Sequence, residues 1–195
     1  MNGVFTKIYE IPHANKKEIL RYAGVPKDSD EFSDMIDGCL SEALPLISGK
    51  VCFSETTVSV CGDELSLGSA KVKSAALAKN LASCERALIF GATVGFAPDR
   101  LIAKYSVLSP SKALVFQAIG AERIEALCDV FCREAEDRYG KLCPRFSPGY
   151  GDLPLSFQRE IFAYLNLSKN IGLTLNESLL MSPTKSVTAI VGITN

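Results

Sequence analysis

Tryptophan is absent from this chain of 195 residues, and histidine occurs once, at His13. Neither sign of charge is in excess, with 21 basic residues against 22 acidic ones. No basic patch stands out, which argues against nucleic acid as a partner. Long apolar runs are missing too. The uncharged stretch from Ala87 to Pro98 is too short to span a bilayer, which takes about 20 apolar residues. The opening Met1-Asn2-Gly3-Val4 lacks the basic-then-apolar layout of a signal peptide. A soluble, cytoplasmic protein with no membrane partner is expected.

Seven cysteines are present, but no two form a Cys-x-x-Cys pair. An odd count without a signal peptide argues against a disulfide framework. Cys128 and Cys132 share a helix face at i, i+4. A metal site there would need two more soft ligands, and Cys143 is the only nearby candidate. Buried free thiols are the simpler reading. An iron–sulfur activator, which needs several clustered thiolates, is disfavoured on the same count. His13 lies just before a helix and reads as a surface or capping residue rather than a ligand. The one Gly-rich loop after a strand, Gly91 to Gly95, is GxxxG and not GxGxxG, so it does not support a dinucleotide fold.

What is there suits a packed domain. Hydrophobic residues make up 47 % of the chain, enough for a substantial core. The length fits one domain over residues 1–195, with no repeat and no linker. Val4 to Ile11 reads as a strand. Asn15 and Glu18 resemble a capping box before a short helix with Ile19, Leu20 and Tyr22 as its apolar contacts. Asp28-Ser29 opens a second helix, whose buried face runs from Met35 to Ile47 and whose last turn Pro45 bends. Lys50 to Cys61 alternates as a strand through Val51, Phe53, Val58 and Val60, with a turn at Gly62-Asp63 and a return strand at Leu65 and Leu67. Ser69 caps a third helix through Leu81, and Glu85 to Val94 is a buried strand ending in a tight loop. Helices follow over Pro98 to Val107 and from Ser109-Pro110 to Tyr139, the second bent at Gly120. A helix over Leu155 to Leu167, a short strand at Thr174 and a β-prone end from Lys185 to Ile193 complete the chain. Strands and helices without regular alternation point to α+β with an antiparallel sheet.

Cys143 to Pro154 holds three prolines and two glycines and belongs to neither helix nor strand interior. A rigid loop of this kind fixes backbone N–H and C=O groups at the surface at little entropic cost. Arg145 offers a planar fork for a carboxylate. Tyr150 offers an aromatic face on which a sulfonium could lie. Gly149 and Gly151 let a ligand approach the backbone. The set suits a zwitterionic, cationic nucleoside such as S-adenosylmethionine. A structural loop joining two helices fits the same residues.

Arg145-x-x-x-Gly149-Tyr150-x-x-x-Pro154 resembles the Arg-x-x-x-Gly-Tyr-x-x-x-Pro motif of the activation domain of cobalamin-dependent methionine synthase, and Pro148 also matches. Downstream, Ile171-Gly172-Leu173-Thr174-Leu175-Asn176-Glu177-Ser178, Met181-x-Pro183 and Ser186-Val187 follow in that family's order. The resemblance covers Ile124 to Ile193. It implies a C-shaped domain with a bent antiparallel sheet flanked by helices. It also implies S-adenosylmethionine bound by Arg145, Ser147, Pro148, Gly149, Tyr150 and Pro154, with Glu125 facing the ligand's ammonium. Glu125 could equally be a solvated helix carboxylate. Two family features have no match here: an acidic contact in an N-terminal Trp-containing segment, and a Tyr beyond the Ser-Val strand.

The implied role is repair. A cobalamin carried by a partner protein loses an electron, and an electron from a flavodoxin-type donor with a methyl from S-adenosylmethionine restores it. The hard chemistry belongs to cofactor and methyl donor, so no catalytic side chain is expected. The expected partner is the cobalamin-binding domain of a separate methionine synthase, served in trans. The alternative is a non-catalytic binding module, or a partner of another corrinoid methyltransferase, that has lost productive methyl donation.

Overall fold

The computed structural model describes residues 3–25 and 30–194. Strands β1 (Phe5–Tyr9), β2 (Gly49–Cys61), β3 (Glu64–Leu67), β4 (Ala70–Lys73) and β5 (Cys84–Thr93) come first. β6 (Thr174–Leu175), β7 (Met181–Ser182) and β8 (Ser186–Thr194) follow near the end. The main sheet is antiparallel, in the order β4-β3-β2-β5-β8, with β1 also pairing β2. β6 and β7 make a separate two-stranded ribbon. The helices are α1 (Lys16–Ala23), α2 (Asp30–Ala43), α3 (Ala75–Asn80), α4 (Ala97–Leu108), α5 (Pro110–Tyr139), α6 (Gln158–Leu165) and α7 (Leu167–Ile171).

The apolar run of β5 has a structural cause. Leu88 and Phe90 face α5 with Leu127, Cys128 and Phe131. Ala87 and Ile89 face the opposite layer of α3, α6 and α7, with Leu77, Ile161 and Leu167. A strand covered on both sides loses its polar alternation. β2 is covered in the same way over its first half, where its own Val51 and Phe53 pack into one layer and its Cys52 into the other. Beyond Thr57 it leaves β5 and pairs β3, which leaves Val60 exposed. The antiparallel α+β reading therefore describes the architecture, with helical layers on both faces of the sheet. No described helix is long and apolar enough to cross a membrane.

α5 organises the second helical layer. At about 1.5 Å per residue it runs about 45 Å. Its C-terminal half packs on the sheet, and Val115, Phe116 and Ile119 of its N-terminal half pack on α1, α2 and α4. It is unbroken at Gly120, where the stem of Lys185 occupies the space a side chain would take. Arg123 is 1 % exposed. Its Nε donates to Glu122 Oε2 at 2.5 Å, and its Nη1 donates to Pro12 O. Glu122 Oε1 accepts from the Asn15 N–H at 3.1 Å. A buried guanidinium and carboxylate thus bolt the β1–α1 connection to the middle of α5.

Several local expectations are corrected. The Asn15 side chain caps α1 by accepting from Lys17 N and Glu18 N. The reciprocal half of the capping box is absent, because the Asn15 N–H goes to Glu122 and Glu18 pairs with Arg21. Tyr22 is exposed under Arg21, and Ala23 is buried instead. The helix start at Asp28-Ser29 lies outside the described residues. Pro45 sits in a separate 3-10 turn, Leu44–Leu46. Ser69 caps nothing: Ala70–Lys73 is strand, and α3 begins after Ser74, whose hydroxyl accepts from Leu77 N. Gly91 is inside β5 rather than in a loop, and Leu167 lies 2.7 Å from where its Cβ would be. The Ser109 side chain makes no cap bond. The expected helix from Leu155 breaks at Asn166, which takes φ +47° between α6 and α7.

Removing one partner of a buried ion pair leaves the other charge uncompensated, at a cost of about 3–5 kcal/mol. Arg123→Ala is expected to lose that much stability in urea unfolding. The double change Glu122→Leu with Arg123→Met should lose distinctly less.

Candidate functional site

β8 is an edge strand of the sheet, and the chain after α5 returns to cover it. Cys143 N donates to Gly192 O at 2.8 Å, and Thr194 N donates to Lys141 O at 2.9 Å. Phe146 and Ile190 exchange both bonds, at 2.9 and 2.8 Å. After Phe146 the chain turns away. Backbone groups of a strand alternate in direction, so those of Thr188 and Ser186 face the same edge as those of Ile190, beyond the last covered position.

A cavity of about 270 Å³ opens there. α5 contributes Glu125, and the departing loop contributes Arg145, Ser147, Pro148 and Tyr150. Gln158 at the start of α6, Met181 and Thr188 line it as well. Five of the residues expected at the site therefore share one cavity. Gly149 and Pro154 do not line it. Gly149 takes φ +92°, which only glycine adopts without strain, and its N–H donates to Leu153 O at 2.9 Å. Pro154 O accepts from Phe157 N at the start of the 3-10 turn Leu155–Phe157.

The loop is less open than its composition implies. Tyr150 N donates to Ser147 O, and Leu153 N donates to Tyr150 O, both at 3.0 Å. With Gly149 N also taken, these three donors serve the loop itself. Asp152 ties the loop to α3. Its carboxylate accepts from Ser74 Oγ at 2.5 Å, from Ala75 N at 2.7 Å and from Ala76 N at 3.1 Å. The Ser74 hydroxyl and the two N–H groups hold Asp152 below the usual carboxylate range. Leu153 then buries under the loop.

Arg145 reaches back over α5. Its Nη2 donates to Glu125 Oε2 at 2.8 Å and lies 3.1 Å from Asp129 Oδ1. Burial opposes its charge, the carboxylates of Glu125 and Asp129 favour it, and its pKa is raised. Glu125, Cys128, Asp129 and Cys132 form one helical stripe. Burial pushes Cys128 up to about 12 and Cys132 up to about 11, so neither thiol is poised as a nucleophile. Cys143 Sγ lies 3.5 Å from Cys84 Sγ. Among the described residues no group of three or more His, Cys, Asp or Glu side chains is placed to hold a metal ion.

Four buried side-chain polar atoms among the described residues have no hydrogen-bond partner, and three line this cavity: Arg145 Nη1, Gln158 Oε1 and Thr188 Oγ1. Buried polar groups are normally satisfied, so this cluster of orphans makes the cavity the candidate ligand site. A larger cavity near β1, about 710 Å³, is lined mainly by apolar residues such as Ile8, Ile11 and Ile47 and holds none of the expected site residues. Gln158 and Thr188 had not been singled out from the sequence. Thr188 interrupts the apolar run from Val187 to Ile193, whereas Gln158, next to Arg159 and Glu160, carries no such signal.

No protein-family model matches the sequence, and no curated protein matches it either. Among solved structures, the crystal structure of the MetH reactivation domain bound to AdoHcy is similar, with a TM-score of 0.72 over 98 % of this chain and 78 % of that one. The two are 14 % identical. The fold is that of the MetH reactivation domain. The likeness extends over nearly the whole chain, whereas the motif resemblance began only at Ile124. In this fold five of the seven expected residues line one cavity at the open end of β8.

Asp152 stabilises the fold above the unfolded aspartate pKa, about 3.9. That stability is lost as pH falls through its lower folded value. Asp152→Asn is expected to unfold at lower urea than the parent at pH 7, with the gap closing as pH falls below about 3.9. In native protein, a thiol reagent should label exposed Cys61 first and reach buried Cys128 only on unfolding.

Proposed function

We propose that this protein binds S-adenosylmethionine in the cavity between Arg145, Tyr150 and Glu125. We further propose that it serves the reactivation of cobalamin-dependent methionine synthase in trans. One observation carries the reading: Glu125 and the motif residues Arg145, Ser147, Pro148 and Tyr150 meet in one cavity, in a fold shared with a domain whose structure holds AdoHcy.

The residues fit the ligand's chemistry. Arg145 Nη1 is a buried donor without a partner, suited to a carboxylate. Tyr150 is 68 % exposed and leaves a ring face on which a sulfonium can rest. Glu125 places a carboxylate in the same wall. S-adenosylmethionine held there would supply the methyl group for repair. The protein's own residues bind and orient it at an open sheet edge, where a partner domain can reach it. The whole cavity is built within this one domain, which suits action on a separate chain. The cobalamin-binding domain of a methionine synthase is the proposed partner, with a flavodoxin-type protein as electron donor. The C-shaped curvature of the family domain belongs to the same proposal.

A charge-assisted hydrogen bond contributes about 1.5–3 kcal/mol. Arg145→Ala is therefore expected to weaken S-adenosylmethionine binding about ten- to a hundredfold in calorimetry. Adding the protein to an oxidised synthase that lacks its own reactivation domain, with reductant, should restore methyl transfer. Binding without restored transfer would instead support a binding module that holds the ligand and does not donate from it.

A further inference from the structure

We infer that Gln158 and Thr188, neither of them in the loop motif, form a receptor for an α-amino-acid head group at the floor of this cavity. The inference rests on the proposed adenosyl ligand only for what lies beyond that head.

Gln158 is 6 % exposed and Thr188 2 % exposed. Gln158 Oε1 and Thr188 Oγ1 are both without a partner. Their strands and helices hold them firmly: Thr188 pairs Gly91 of β5, and Gln158 opens α6 over Ile161 and Leu165 of the core. Leaving a buried acceptor unsatisfied costs about 1–3 kcal/mol. A group that fills both sites recovers that cost on binding.

The orphan atoms ask for different partners. Arg145 Nη1 requires an acceptor, best an anion. Gln158 Oε1 requires a donor. Thr188 Oγ1 serves as either. Glu125 sets a negative charge in the same wall. A phosphate would satisfy Arg145 but meet Glu125 with like charge. An adenine edge would satisfy Gln158 but give Arg145 no anion. An α-carboxylate beside an α-ammonium meets every demand in one small group. It is neutral overall, which suits a wall with one guanidinium and one carboxylate. The cavity, about 270 Å³, falls just below the roughly 300–1,000 Å³ that drug-sized ligands fill. It takes the head of such a ligand and leaves the remainder along the open edge by Tyr150.

The test is calorimetry with S-adenosylmethionine, S-adenosylhomocysteine, 5′-methylthioadenosine and L-methionine. The proteins are the full chain and its Gln158→Leu, Thr188→Val and Thr188→Ser variants, each checked for an unchanged melting temperature. Gln158→Leu and Thr188→Val should each bind the two amino-acid nucleosides about tenfold more weakly, and Thr188→Ser should bind them as the parent does. 5′-Methylthioadenosine, which has no head group, should bind at least about a hundredfold more weakly to the parent and no differently to the variants. Parent-like S-adenosylmethionine affinity in both Gln158→Leu and Thr188→Val would overturn the head-group inference and leave the adenosyl reading standing. Variant-sensitive binding of L-methionine without binding of any adenosyl compound would do the reverse. Failure of every compound to bind would overturn both.

Discussion

Backbone groups on the outer edge of β8 must find partners, and how they find them shapes the rest of the molecule. The segment from Lys141 to Phe146 supplies bonds from Thr194 to Ile190 and then turns away. An exposed sheet edge is otherwise a template for unwanted pairing. Here the uncovered end is short, and it becomes the floor of a cavity. Because the segment follows α5 and precedes α6, it also joins the helical layers on the two faces of the sheet.

That junction explains the electrostatics. Arg145 leans over α5, where Glu125 and Asp129 take one side of its guanidinium. Its other amino group stays buried and free toward the cavity. The two carboxylates therefore hold the arginine in place in a half-buried setting. Asp152 performs a similar task at the loop's far side, where it caps α3. Between these two anchors Gly149 turns the chain with a positive φ. Deeper in the protein, Arg123 and Glu122 bind the β1–α1 connection to α5. The helix that carries Glu125 is thereby held from both its faces.

Elements with strong local signals were legible in the sequence. The apolar run of β5, the periodic face of α2 and the proline-led starts of α4 and α5 all appear close to where the pattern put them. Errors arose where a distant partner decides the outcome. Ala70–Lys73 becomes strand because β3 is there to pair it. The capping box at Asn15 stays half-formed because Glu122, more than a hundred residues away in sequence, takes the N–H. Gly91 reads as a loop signal, yet it is required by the close approach of Leu167 to β5.

For the site, the sequence by itself determined the loop: its prolines and glycines, its arginine and its tyrosine, and hence a segment that is neither helix nor strand interior. Backbone preference and residue chemistry are local, so one chain suffices to read them. Only the tertiary structure decided that Glu125 stands beside Arg145, that Gly149 and Pro154 shape the loop without lining the cavity, and that Asp152 anchors it. It alone brought Gln158 and Thr188, 30 residues apart in numbering, to the same floor with unpaired polar atoms. Whether a buried polar group is satisfied depends on every neighbour in three dimensions, and no spacing along a chain contains that information.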